Sequence, residues 1–134
     1  MENAAPFAAR DAWMVIVRQA DRMLFAEHFD LQATLTTSVF ERVIKGADEI
    51  YRYFEATRAM FDSFAFNSEV SHEGRTFMTW EGHALEKTLT GVTIVERNPA
   101  GLVTKVEIYS GPLSALTPFA TDLERRLKER VAPT

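Results

Sequence analysis

The chain has 134 residues, of which 46% are hydrophobic and 25% are charged. This length and balance indicate one globular domain with its own core, and they exclude a largely disordered chain. The absence of cysteine excludes disulfides, thiol catalysis and cysteine-bound zinc, and the net charge of −4, with a pI of about 5.4, disfavours nucleic-acid binding.

No stretch of the sequence predicts a membrane span or a secretion signal. The longest apolar run, residues 12–17, is far shorter than the ~20 residues of a transmembrane helix. A basic segment followed by an apolar one, as in a signal peptide, is not seen at the start. We therefore expect a cytoplasmic protein with no membrane partner and no nucleic-acid partner.

The first half of the chain predicts two helices on either side of a strand. Residues 1–6 are expected to form a loose end, and residues 7–27 repeat apolar side chains every three or four positions, as an amphipathic helix does. Residues 29–39 alternate apolar and polar side chains and are rich in threonine, which predicts a strand. After a break at Gly46, residues 47–63 predict a second helix with an apolar stripe.

The second half predicts an antiparallel meander and a final helix. Turn signals separate four predicted strands, which cover residues 64–72, 75–85, 88–97 and 102–110. Connections of hairpin length make neighbouring strands antiparallel, so helices can cover only one face or one end of the sheet. Thr117 and Pro118 open the predicted C-terminal helix, residues 117–134. The pattern is that of an α+β fold in a single domain, residues 1–134.

Four short motifs follow one another along the chain at residues 45–50, 90–95, 98–103 and 109–113. In their order and spacing they resemble the NTF2-like superfamily, in particular its SnoaL-like and ketosteroid-isomerase-like branch. The resemblance implies a cone in which a curved antiparallel sheet packs its concave face against helices and encloses a pocket. It also implies a convex face that often forms a dimer. The family usually has two helices before the first strand, whereas residues 7–27 show one unbroken pattern here.

Residues that face the pocket of such a cone can be assigned from the period-two pattern and from the family landmarks. On the second meander strand, the apolar and small side chains form the expected concave set. The predicted ligand-binding residues are Trp13, Val17, Thr37, Tyr53, Thr57, Phe61, Met78, Trp80, Thr93, Val95, Val106, Ile108 and Ser110. The alternative is that these side chains are core and touch no ligand.

The opposite, convex set mixes apolar and charged side chains, as a protein interface does. It comprises Glu81, His83, Val92, Ile94, Glu96, Lys105, Glu107 and Tyr109. We predict a homodimer through this face. The alternative is a solvated sheet face with cross-strand charge pairs.

Catalytic residues do not carry over from the resemblance. The positions of the family's two carboxylates read Thr37 and Thr93, and the position of its first-helix tyrosine falls near Trp13. This pattern is not that of a typical ketosteroid isomerase, polyketide cyclase or epoxide hydrolase. The three histidines, His28, His72 and His83, lack the spacing of a helical metal motif, so neither a metal nor another cofactor is expected.

Three functions remain open at this point. The first is an NTF2-like domain that binds a small apolar or aromatic molecule in a central pocket as a homodimer. The second is an isomerase-, cyclase- or dehydratase-type enzyme with a non-standard set, for example Tyr53 with Glu55 or His28. The third is a non-catalytic interaction subunit whose cone is filled by its own side chains. An open cavity lined by aromatic and a few polar groups favours the first two.

Overall fold

The structure, a computed structural model, describes Trp13 and residues 22–131, the side chains of residues 130 and 131 excepted. Trp13 is helical, but Val17 and the remainder of residues 7–21 lie outside the described residues. The described elements, in chain order, are α1 (Arg22–His28), β1 (Phe29–Thr37), β2 (Phe40–Lys45), α2 (Ala47–Met60), β3 (Ser63–His72), β4 (Arg75–Ala84), β5 (Lys87–Arg97), β6 (Val103–Gly111) and α3 (Leu113–Val131).

The six strands form one curved sheet in the order β2-β1-β6-β5-β4-β3. β3 to β6 form the predicted antiparallel meander, whereas β1 pairs with β6 in parallel. The turns at Glu73-Gly74 and at residues 98–101 lie at the predicted positions. The α+β class and the helix-packed curved sheet are therefore confirmed.

Alternation along the central strands creates two different faces. On β4, the odd-numbered side chains are partly or fully exposed, whereas Met78, Trp80 and Ala84 are buried. The buried face receives α2, whose inner stripe includes Ile50, Phe54 and Met60. The core therefore lies between this concave face and the helices, as expected for a two-layer α+β fold.

β2 was not predicted, because the expected first strand ran on to residue 39. The chain instead turns after Thr37, where the Thr37 hydroxyl accepts the N–H of Val39 at 3.2 Å and Thr37 pairs with Phe40. Only Ile44 of β2 is buried. A short edge strand with a single buried residue lacks the alternation from which strands are predicted.

The last helix begins at Leu113, four residues before the position that the sequence indicates. The carbonyl of Pro112 accepts the N–H groups of Ala115 and Leu116 at 3.0 and 2.9 Å, which closes the first turn. Pro118 consequently lies inside the helix. Buried side chains, Phe119 among them, hold the helix to the rest of the fold, and this packing outweighs the local cost of an interior proline.

Candidate functional site

A cavity of about 390 Å³ lies between the concave face of the sheet and the helices. Aromatic side chains are the largest group among its described lining residues: Trp13, Tyr53, Phe54, Phe61, Phe64, Phe66, Trp80 and Phe119. The remaining described lining residues are Val39, Leu89 and Ile108, the hydroxyl residues Thr57, Ser63, Thr93 and Ser110, and the charged residues Arg58 and Asp62. Arg58, Asp62 and Ser63 are exposed, so they mark the mouth of the cavity.

The aromatic wall is packed internally rather than collapsed across the cavity. Phe64 stacks on Trp80 with ring centroids 5.1 Å apart, and Phe61 meets Phe64 edge-on at 5.2 Å. Phe61 also contacts Phe119 of α3 at 5.3 Å. Because each ring is held by others at preferred separations, the wall is pre-formed and does not need a ligand to organise it.

Tyr53 is the most deeply buried hydroxyl of the wall. Burial raises the pKa of the Tyr53 phenol to about 12, and a hydrogen bond with the hydroxyl of Thr37 offsets part of that rise. The phenol therefore stays protonated at neutral pH and can donate a hydrogen bond. Thr37 itself is not a lining residue, but it contacts the lining residues Tyr53 and Val39 through its hydroxyl.

The other polar groups that the described residues place inside the wall are neutral. The Thr57 hydroxyl donates to the carbonyl of Phe54 at 3.3 Å, which removes it as a free donor. The indole Nε1 of Trp80 is buried and has no hydrogen-bond partner among the described residues. Leaving such a donor unpaired typically costs about 1–3 kcal/mol.

Eight predicted ligand-binding residues meet in the wall of this one cavity. They are Trp13, Tyr53, Thr57, Phe61, Trp80, Thr93, Ile108 and Ser110. Thr37, Met78, Val95 and Val106 are buried but do not line it. Val95 and Val106 pair with each other one row of the sheet beyond Thr93 and Ile108, where the core covers the concave face. Period two identifies the face of a strand but not how far along it a cavity extends.

Several lining residues were not predicted. Phe64 and Phe66 pair with Gly82 and Trp80 on the adjacent strand, so their alternation along β3 could have placed them beside the predicted set. The sequence did not indicate that Phe119 lines the cavity, because its position depends on how α3 packs over the sheet. Arg58 and Asp62 were missed because exposed charges near a helix end are common and carry no mark of a cavity mouth.

The predicted alternative catalytic set does not come together in the wall. Of Tyr53, Glu55 and His28, only Tyr53 lines the cavity. His28 is exposed at the end of α1, and Glu55 accepts a hydrogen bond from the hydroxyl of Tyr51 at 3.3 Å. Among the described residues, no three histidine, aspartate or glutamate side chains are grouped as a metal site would need.

The convex face carries an apolar strip between charge pairs. Val92 pairs with Tyr109, which is 48% exposed, and Ile94 pairs with Phe77. On the flank, Glu107 forms ion pairs with Lys105 at 3.3 Å and with Arg75 at 3.6 Å. In the part of the chain that the structure describes, no helix is long and apolar enough to cross a membrane.

Sequence comparison finds no matching protein-family model and no matching curated protein. Solved structures nevertheless share the architecture. A steroid delta-isomerase from Pseudomonas aeruginosa superposes with a TM-score of 0.84 at 18% identity, over 99% of this chain and 97% of that one. A protein with a cystatin-like fold from Silicibacter pomeroyi gives 0.79 at 16% identity, over 97% and 88%. A candidate isomerase of the SnoaL-like family from Agrobacterium tumefaciens gives 0.66 at 16% identity, over 80% and 97%.

These likenesses confirm the fold that the resemblance implies, a curved sheet packed against helices. Sequence identities below about 20% support a shared fold but not a shared activity, since one fold supports many unrelated functions. The chemistry of the site must therefore be argued from this chain's own side chains.

Proposed function

We propose that this protein binds a small, largely apolar, aromatic molecule in its central cavity. The observation that carries the proposal is the cavity itself, about 390 Å³ with eight aromatic side chains in its wall. Ligand pockets commonly have volumes of roughly 300–1,000 Å³ and apolar walls with a few polar groups. A cavity of this size also disfavours the alternative of an interaction subunit, whose cone would be filled by its own side chains.

The polar groups of the wall favour a ligand that carries an oxygen acceptor. Tyr53 holds a proton that it can donate, and its bond to Thr37 orients the phenol. Thr93 and Ser110 add neutral hydroxyls nearby. The two charged side chains among the described lining residues, Arg58 and Asp62, lie at the exposed mouth. The buried part of the ligand is therefore uncharged, because no described charged group lines the interior to compensate a buried ion.

A titration with 2-naphthol, a flat aromatic alcohol, tests the proposal. Trp80→Ala should weaken binding by about tenfold, the ~1.4 kcal/mol expected when a large aromatic contact is lost. Phe77→Ala is the matched control, because Phe77 lies on the same strand but faces the convex side. No calorimetric binding of 2-naphthol to the wild type, or equal weakening by both variants, would contradict the proposal.

An isomerase- or cyclase-type enzyme is the second candidate, favoured by the close superposition on the steroid delta-isomerase. Proton abstraction beside a carbonyl needs a general base near the substrate. The described wall offers no interior carboxylate or histidine, and threonine hydroxyls at positions 37 and 93 stay protonated at neutral pH. The described residues therefore support binding better than they support this chemistry.

We further propose that the chain forms a homodimer through its convex face. Tyr109, Val92 and Ile94 present an apolar centre, and the ion pairs of Glu107 provide a polar rim. Sedimentation at micromolar concentration should give twice the monomer mass, and Tyr109→Asp should shift the protein to monomer. Leu31→Asp, at an 87% exposed residue outside this strip, is the control. A monomeric wild type would refute the dimer.

A further inference from the structure

Two glycines of the sheet lie directly beneath aromatic rings of the cavity wall. A Cβ atom at Gly82 of β4 would stand 2.5 Å from Cε1 and 2.7 Å from Cδ1 of Phe61. A Cβ atom at Gly91 of β5 would stand 2.4 Å from Cζ2 of Trp80. All three separations are far inside van der Waals contact. The two rings therefore occupy the space that a side chain on the sheet would fill.

Backbone conformation does not explain either glycine. Gly46, Gly74 and Gly101 have positive φ angles, whereas Gly82 and Gly91 do not. What these two positions require is space for a ring, as is common where glycine interrupts a strand. Because Phe61 and Trp80 lie close against the sheet, the volume above them stays open as the cavity.

From this geometry we infer that Gly82 is a specificity-determining residue that sets the largest ring system the cavity admits. The inference rests on the proposed ligand-binding function and concerns the size of the ring system that this ligand can carry. Gly82 is the informative position of the two. Its nearest neighbours are ring atoms of Phe61 and Phe64, whereas a Cβ at Gly91 would also meet the backbone oxygen of Tyr109 at 2.5 Å.

The direction in which Phe61 would move follows from its neighbours. β4 blocks the ring on one side, and Phe64 and Phe119 already pack against it at 5.2 and 5.3 Å. A methyl group at position 82 would therefore displace the Phe61 ring away from the sheet, into the cavity. The cavity would then lose depth, while its mouth at Arg58 and Asp62 would be unchanged.

Binding of three aromatic alcohols of increasing size tests this inference: phenol, 2-naphthol and 1-hydroxypyrene. The wild type should bind all three, with the affinity rising with ring number. Gly82→Ala should lose about tenfold or more for 1-hydroxypyrene, in line with the discrimination that small changes of pocket size produce. The affinity of Gly82→Ala for phenol should stay within about threefold of the wild-type affinity. Gly111→Ala is the matched control, because nothing lies within 4 Å of a Cβ at that position.

The double variant Gly82→Ala/Phe61→Ala removes the clash with the Phe61 ring and should bring 1-hydroxypyrene binding back to the level of Phe61→Ala alone. If Gly82→Ala folds poorly, as circular dichroism would show, recovery of both folding and binding in the double variant supports the inference, and failure to recover overturns it. Unchanged 1-hydroxypyrene binding by Gly82→Ala also overturns it and leaves the proposed function intact. If the wild type binds none of the three alcohols, the proposed function fails and the inference fails with it.

Discussion

Replacing Tyr53 with phenylalanine should change how the stability of the protein depends on alkaline pH. The pKa of this phenol is raised from its ordinary value near 10 to about 12 in the folded state by burial. Since the folded-state pKa exceeds the unfolded one, the stabilisation is complete below pH 10 and is lost as the pH rises towards 12. The full loss is about 3 kcal/mol, because each pKa unit corresponds to about 1.4 kcal/mol.

At pH 11 the expected loss in the wild type is about 1 kcal/mol relative to pH 8, because the unfolded phenol is then mostly ionised and the folded phenol mostly protonated. Tyr53→Phe lacks this loss. It also lacks the hydrogen bond to Thr37, which costs about 1 kcal/mol at pH 8. The variant should therefore be less stable than the wild type at pH 8 and about equal to it, or slightly more stable, at pH 11.

Urea denaturation at intervals between pH 8 and pH 11 measures this difference. Comparison with the variant cancels the titration of the other groups, which both proteins share. Tyr109→Phe, at the half-exposed tyrosine of the convex face, controls for the loss of any phenol from the chain. A free-energy difference between wild type and Tyr53→Phe that stays constant from pH 8 to pH 11 would refute the reasoning.

Three further substitutions and one activity assay test the surroundings of the site and the stability of the fold. Thr37→Val removes the hydrogen bond that lowers the phenol's pKa, so ultraviolet titration should place the Tyr53 pKa above its wild-type value; a lower pKa would contradict the pairing. Gly46→Ala places a side chain at a φ of 90° and should destabilise the fold by about 1–2 kcal/mol in chemical denaturation, whereas an unchanged midpoint would contradict that strained conformation. Pro118→Ala restores a helical N–H inside α3 and should raise the stability by about 1 kcal/mol or more, and a loss of stability would mean that the proline ring contributes packing. With a β,γ-unsaturated ketosteroid, turnover should equal that of buffer, because neither Thr37 nor Thr93 can act as a general base at neutral pH; brisk turnover would show that another residue serves as the base.

The sequence by itself predicted those features that depend on neighbours along the chain. The four meander strands, the turn at Glu73-Gly74 and the side assignments of Met78 and Trp80 follow from period two and from turn-forming residues, which are local properties. The apolar stripe of α2 follows from helical periodicity in the same way. Together with the family landmarks, these local patterns were enough to assign Tyr53 and Trp80 to one common wall.

Features that depend on contacts between distant segments were decided only by the tertiary structure. The parallel pairing of β1 with β6, the placement of Phe119 in the wall and the bond between Thr37 and Tyr53 each join residues with no local signal. The extent of the cavity along the sheet also depends on such contacts. The sequence pattern predicted that Val95 and Val106 line it, but they do not. A repeating pattern identifies the buried face of an element, but the packing of other elements on that face determines where it stays open.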